Sequence, residues 1–600
     1  MSGRFGFPGR RGAAALLLAA GLAQPAAALD SLDFAAPGAD AGLTKSLRAA
    51  SLLVTSEAEG KTDPQDLFAA ARADYARLLG ALYAAGYYSG VIHIRIDGRE
   101  AAAIAPLDAP RAIRKISVSV APGPAFTFGQ ARIAPLAPGT SLPGEFAPGQ
   151  PARSDVLQAA VSSAVSSWRD AGHAKAAPGQ RRIVADHPAA KLNADVAIAP
   201  GPRVTFGNLI ITGRSTVREK RIRQIAGFPT GETFDPRKEE KVATRLRRAG
   251  AFRSVALTEA GTLGPGDNMD VTAALVDAKK HRIGVGAEIA SLDGLTLSGY
   301  WLHRNLFNDA QRLRFDGKIS GIGAAGNPDY SFSVRLDRPA VVNADSTLYA
   351  LALAERLDET DYTETRAATE VGLTRLVSDR LTLSAGIGYQ ASRVTDSTGL
   401  TRYRDVTFPL GATYDSRDDK LDARRGTYLD AAVMPFVGFG GTGTGAQLKL
   451  DARGYRPLGK RLVLAGRLQL GSVLRSPIAD TPRDYLFYSG GGGTVRGQPY
   501  QSLGVYAISP TQRSGGRSFV GLSGEVRAKL TASFGAVAFY DAGYVGATSL
   551  PDGSGSWQAG AGLGLRYFTG IGPIRLDVAA PVSGGTGKGV QIYVGIGQAF

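Results

Sequence analysis

The chain has 600 residues, no cysteine, 77 glycines, 44% hydrophobic and 20% charged residues, and a formal net charge of +16. An ordinary hydrophobic fraction excludes both a disordered chain and a bundle of membrane helices, and three to five domains are expected at roughly 100–200 residues each. The lack of cysteine excludes disulfides, thiolate catalysis and cysteine-ligated metal clusters, whereas the positive charge suits nucleic acid and an anionic membrane surface equally.

At the N-terminus, Arg4, Arg10 and Arg11 precede an apolar run from Ala13 to Leu22, then Pro25 and Ala26-Ala27-Ala28. This is the pattern of a secretory signal peptide, residues 1–28, with cleavage after Ala28. No later stretch reaches the roughly 18–20 uninterrupted apolar residues of a spanning helix. The mature chain is therefore expected outside the cytoplasm, with no nucleic-acid partner.

From Asp30 to about Asp277, helical and strand patterns mix. Val120-Ala-Pro-Gly-Pro-Ala-Phe-Thr-Phe-Gly129 recurs as Ile198-Ala-Pro-Gly-Pro-Arg-Val-Thr-Phe-Gly207. Helical runs over Gln65–Ala85, Ser154–Ala171 and Pro236–Ala249 each end in Ala-Gly, and the glycine suits the left-handed position that stops a helix. We read three tandem α+β repeats of β-α-α-β-β order, over 29–121, 122–200 and 201–278.

The remainder, 279–600, alternates with period two. Leu313, Phe315, Gly317 and Ile319 oppose Arg312, Arg314, Asp316 and Lys318, and Leu522, Val526 and Ala528 oppose Ser523, Glu525, Arg527 and Lys529. A soluble sandwich alternates too, but a secreted chain with an apolar face fits an outer-membrane barrel, lipid outside and a polar lumen inside. The length gives about 16 strands at about 20 residues per strand and turn. Tyr300, Trp301, Tyr485, Phe487 and Tyr488 are candidates for the interfacial aromatic belts, with core packing as the alternative. The closing strand is read as Val590 to Phe600, with Ile592, Val594 and Phe600 on one face and Gly595 and Gly597 between them.

Several stretches together resemble the BamA/TamA family of outer-membrane assembly factors. The repeats look like POTRA domains, and three is the count of the TamA branch. Gly490-Gly-Gly-Gly-Thr-Val495-Arg496-Gly497-Gln498 resembles the family's V-R-G-[FY] lid-loop motif, with Gln498 in place of the aromatic. Phe539-Tyr-Asp-Ala-Gly543 resembles the strand whose aspartate faces that arginine; Asp415–Asp419 with Gly426, and Ile571–Asp577, also match. The resemblance implies a 16-stranded antiparallel transmembrane barrel preceded by three periplasmic POTRA domains. It also implies a protein of the bacterial outer membrane that inserts or translocates autotransporters and other barrel proteins, with an inner-membrane-anchored TamB-like partner. The rival readings are a general BamA-like insertase, a two-partner-type secretion pore and, from another class, a soluble adhesin.

A lumenal arginine needs a carboxylate, because an unpaired buried charge costs several kcal/mol. Arg496 sits in a flexible glycine-rich loop, with Glu525 and Asp541 as candidate partners. Alternation places Glu525 in the lumen; Asp541 shares its face with Val537 and Phe539, so there the resemblance decides. On the first barrel strand, Gly284 and Gly286 lie opposite Ile283 and Val285. Glycines at both edges of the closure weaken it as a lateral seam or accommodate curvature.

Enzyme signals fail. Gly321–Gly326 satisfies G-x-G-x-x-G between strands with no helix after it, and Gly584–Lys588 lacks the Ser or Thr of a phosphate loop. His93, His173, His187, His281 and His303 have no metal-ligand spacing. No catalytic activity, cofactor or metal is expected.

Overall fold

The computed structural model describes residues 29–290, 294–324, 326–570 and 572–600. The signal segment with its Ala28 cleavage position, and Ile571, lie outside them. The chain divides into two compact units, one of residues up to Thr205 with Thr233–Pro236, the other of Phe206–Glu232 with Arg237–Phe600.

The first unit holds two α+β modules. In the first, Ser31–Ala35 pairs parallel with Lys115–Ala121, which pairs antiparallel with Val91–Ile96. Helix Pro64–Ala84 starts where the Asp63 carboxylate accepts from the Gln65 and Asp66 amides and Pro64 presets the first turn. It ends beside Gly86, at φ +87°. Its Leu78 and Leu82 are fully buried against Ile94, Ile116 and Val120. Buried Asp74 accepts from the Ser51 hydroxyl at 2.5 Å and the Leu52 amide at 2.6 Å, so its charge sits on the N-terminus of helix Leu52–Ala58.

The second module places Lys191–Ala199 between Thr127–Ala134 and Ala177–Asp186. It carries one α-helix, Ser154–Asp170. The other expected helix is replaced by an irregular stretch, 135–153, because five prolines there remove amide donors and clash with helical neighbours. The recurring proline-glycine motif falls at the hand-over from the last strand of one sheet to the first of the next. Its aromatics, Phe126 and Phe128 in one copy and Phe206 in the other, are buried.

In the second unit, a third module has sheet order Thr205–Thr212, Asn268–Asp277, Phe252–Glu259, with helices Glu219–Ala226 and Pro236–Arg248. It is fastened to two barrel turns. The Asp345 carboxylate receives Arg245 at 2.6 Å and Arg248 at 2.9 Å, Arg218 donates to Asp309 at 2.7 Å, and Ala310 and Ala340 are buried in the module's own core. The two arginines, with Lys241 beside them, hold the Asp345 carboxyl well below the ordinary carboxylate range.

From His281 onward the chain forms a closed antiparallel barrel of 16 strands. One strand is broken at Phe408-Pro409 into Gly399–Thr407 and Leu410–Asp415, and both pieces pair with the same two neighbours. Pro409 has no amide for the ladder, which accounts for the break. Leu383, Ile387, Leu522, Val526 and Leu563 point outward and are exposed, as a lipid-facing band requires. Among the described residues no helix is long and apolar enough to cross a membrane. The expected belt is partly corrected. Trp301 faces outward beside Phe315, but Tyr300 faces the lumen under Arg314, and Tyr485, Phe487 and Tyr488 lie in the long connection 475–517. That connection has no two-residue periodicity, so its aromatics follow lumen packing rather than strand alternation.

Candidate functional site: a lumenal lock beside a short seam

The 475–517 connection folds into the lumen and ties opposite walls together. On one wall, Asp484 pairs with Arg366, Tyr485 donates its hydroxyl to Asp405 at 2.6 Å, and Arg483 reaches Asp396 at 3.0 Å. On the other wall lies the Val495-Arg496-Gly497-Gln498 turn. Arg496 is 2% exposed and stacks over the Phe539 ring, 3.6 Å from its centroid. Its Nε donates to Asp541 at 2.7 Å and its Nη2 to the other Asp541 oxygen at 3.1 Å, the planar fork matching the carboxylate. Nη1 lies 2.7 Å from Glu525 and 3.4 Å from Asp577.

Both expected partners are therefore present. Asp541 shares the lumen face with Val537 and Phe539 because the guanidinium stacks on that apolar patch. The sequence reading missed the rest of the cluster: Asp577 also binds Arg566 at 2.5 Å, and Glu525 binds Arg527 at 2.7 Å. Three arginines and three carboxylates neutralise one another in a buried site. The signal for Asp577 was present, since that residue ends the Ile571–Asp577 stretch.

Close backbone approach completes the lock. Gly497 has φ +93°, and a Cβ there would meet the Ala580 carbonyl at 2.6 Å. A Cβ on Gly560 would collide with the Arg496 carbonyl. Tyr593 on the closing strand donates its hydroxyl to Gln591 and accepts from the Gly497 amide at 3.1 Å; Gln591 in turn donates to the Gly497 carbonyl at 3.0 Å. Gln498 is buried, its amide nitrogen donating to the Ala559 and Ser583 carbonyls at 2.8 Å each. An amide thus stands, hydrogen-bonded, where the resembling motif carries an aromatic. Val495 is fully buried beside Gly543.

Across the closure, Ile289 pairs with Val594 and Ala290 with Tyr593, and no further pair is formed among the described residues. The first strand pairs with the second over its whole length, from His281–His303 to Ala290–Gly294. Two expectations are corrected here. Ile283, Gly284, Val285 and Gly286 belong to the first strand but not to the hydrogen-bonded seam, and Val285 is 90% exposed.

The closing strand also stops at Ile596 rather than running to Phe600. Gly597, at φ +91°, turns the chain inward. There Gln598 donates to Asp422 at 2.8 Å, and Phe600 packs on Ala423, Tyr455 and Ala465 beneath Arg527. The physical reason is that a left-handed glycine ends the extended run and a lumenal apolar pocket takes the ring. A polar latch spans the short closing strand: Arg575 reaches Glu288 on the first strand at 3.0 Å, passing over Gly595, where a Cβ would stand 3.1 Å from the guanidinium.

Comparison with known proteins bears on the barrel and its fold. Residues 305–600 match the Omp85 superfamily domain. Among solved structures, the chain is similar to BamA from Haemophilus ducreyi lacking POTRA domains 1–3, at 16% identity and TM-score 0.61, covering 78% of this chain and 100% of that one. It is also similar to CdiB from Acinetobacter baumannii, at 14% identity and TM-score 0.50, covering 79% and 90%. At such identities the likeness establishes the fold. With the superfamily domain it places the barrel in the bacterial outer membrane and the three α+β modules on the periplasmic side.

Proposed function

The barrel of this chain is an Omp85 superfamily domain, and from that premise we propose that the protein is an outer-membrane assembly factor that inserts or translocates autotransporters and other barrel proteins through its lateral seam. The observation that carries this reading is the closure of two residue pairs on the edge of the first strand that, among the described residues, is otherwise unpaired from His281 to Glu288. An unpaired edge offers backbone donors and acceptors to an incoming strand, which is pairing by β-augmentation. The glycines at 284 and 286 contribute no side chain to that edge, and the Tyr300 ring lies over Gly284 where a Cβ would stand. Each ladder hydrogen bond contributes about 0.5–1.5 kcal/mol, so separating the seam costs a few kcal/mol and leaves the open state at the roughly 0.1–10% level. Edges in the three POTRA-like modules deliver unfolded substrate, and a large inner-membrane-anchored TamB-like subunit docks on the first of them.

The rival is a secretion pore, in which substrate crosses the lumen. The locked 475–517 connection argues against it, because every such passage would break the buried charge cluster. Cysteines at Ile289 and Val594 face each other in the ladder and fall within disulfide reach. The chain has no other cysteine. Oxidation is expected to stop autotransporter assembly in proteoliposomes and reductant to restore it. Full assembly through an oxidised seam would overturn this mechanism in favour of the pore.

A further inference from the structure

The lipid-facing surface carries a charged feature separate from the lumen. Around most of the barrel's outer end, outward positions are apolar, as at Leu297, Ile319, Val437, Leu470, Trp557 and Ile592. Strands Ser346–Glu359, Leu381–Asp396 and Gly399–Thr407 depart from this, with Arg356, Arg393, Arg402 and Arg404 all exposed. Their facing follows from alternation, since Arg356 lies two and four residues after exposed Ala354 and Ala352, and Arg393 four after exposed Tyr389.

The register sets them side by side. Arg356 pairs with Thr365, Thr365 with Arg393 and Arg393 with Arg402, while Arg404 lies opposite Ala391 one step below. Among the described residues no carboxylate forms an ion pair with any of the four. Like charges directly opposite one another are destabilising, so this row lacks its counter-ion within the chain.

Its height is telling. Arg356, Arg393 and Arg402 each lie three residues from a hairpin tip at 359–362 or 396–399, about 10 Å along the strand, and Arg404 lies five residues from the second tip. That is the headgroup level of the outer leaflet, because the tips lie at the strand ends opposite the turns that hold the third module. Below the row, outward Ala354, Ala367 and Ala391 form a floor of small side chains with Phe332 at its edge, and these residues with the arginines line a depression of about 940 Å³. A second depression of about 570 Å³, lined by Val334, Ala350, Ala352, Ile387 and Tyr389, continues toward the bilayer centre.

We propose that this surface binds a phosphorylated glycolipid of the outer leaflet, its phosphates on the four guanidiniums and its acyl chains along the alanine floor. Guanidinium forks match phosphate oxygens. Three strand spacings give the cluster a width of about 14 Å, more than one phosphate spans, so the headgroup carries at least two. The apolar continuation below selects a lipid over free phosphate.

The test uses the full mature chain in detergent micelles and native mass spectrometry with bis-phosphorylated lipid A, and the same lipid with both phosphates removed. The wild type is expected to retain the phosphorylated lipid at least tenfold better than the dephosphorylated one. The quadruple variant R356Q/R393Q/R402Q/R404Q is expected to lose that preference, and R375Q, an exposed arginine at the periplasmic end, to keep it. Equal retention of the two lipids by the wild type overturns the proposal without any variant being needed. Displacement of the lipid by millimolar inorganic phosphate overturns it in favour of a soluble-anion site.

Discussion

Replacing Arg496 by alanine asks whether the lumenal connection is held by charge. The side chain makes a two-pronged contact with Asp541, at 2.7 and 3.1 Å, and a 2.7 Å contact with Glu525, all within a site closed to water. Without it, Glu525, Asp541 and Asp577 face Arg527 and Arg566, leaving one buried negative charge uncompensated. Removing one member of a buried ion cluster costs about 3–5 kcal/mol, and at about 1.4 kcal/mol per decade the docking equilibrium shifts by about 10²–10⁴-fold. The expected outcome for Arg496→Ala is a rise in single-channel conductance in planar bilayers and rapid proteolysis of 475–517, with the barrel still heat-modifiable on gels. Arg496→Lys keeps the charge but loses the fork, so it should fall between. If the alanine variant conducts and resists protease as the parent does, the cluster does not hold the connection, and the reasoning fails.

Gly560→Ala leaves every charge in place but sets a methyl against the Arg496 carbonyl; it should reproduce the Arg496→Ala conductance, and a silent phenotype would show that close backbone approach is unimportant. Gly595→Leu should obstruct Arg575 on its way to Glu288 and raise spontaneous seam opening by a factor of a few, since an exposed pair contributes about 0.2–1 kcal/mol; spin-label distances between the first and closing strands measure this. Asp345 has a depressed folded pKa, so its contribution is present above the unfolded value of about 3.9 and is lost as pH falls through the lower folded value. The third module should therefore loosen from the barrel below about pH 4, read by protease sensitivity at 277–281, and Asp345→Asn should loosen it already at pH 7. Phe600→Ala empties the pocket of Ala423, Tyr455 and Ala465 and should destabilise the barrel by about 3–5 kcal/mol in urea titration, less if the pocket floods.

Where a property is periodic, it was legible. Alternation assigned Glu525, Arg527 and the outward leucines to their faces, because a strand in a two-sided barrel repeats every two residues whatever its neighbours. The helices ending at Gly86, Gly172 and Gly250 were found within a residue of their limits, because a left-handed stop is a local requirement. The missing helix of the second module is also a local matter, since five prolines in 135–153 forbid what the repeat alone would predict.

What depends on pairing could not be read. Whether Val285 or Ile289 meets Val594 is a register between chain ends some 300 residues apart, and both registers satisfy the same alternation. The inward turn at Gly597 needs a pocket built by two distant strands and the 416–425 turn, whereas the terminal alternation by itself predicts a continuing strand. Asp577 and Arg566 join the lock because four separate strands bring the charges to one point in a low-dielectric site. Sequence by itself determined the three α+β modules, the barrel and the faces of its strands, since these follow from local propensity and period. Tertiary structure alone decided the length of the seam, the membership of the charge cluster and the row of four arginines on the outer face, because each rests on which strand lies beside which.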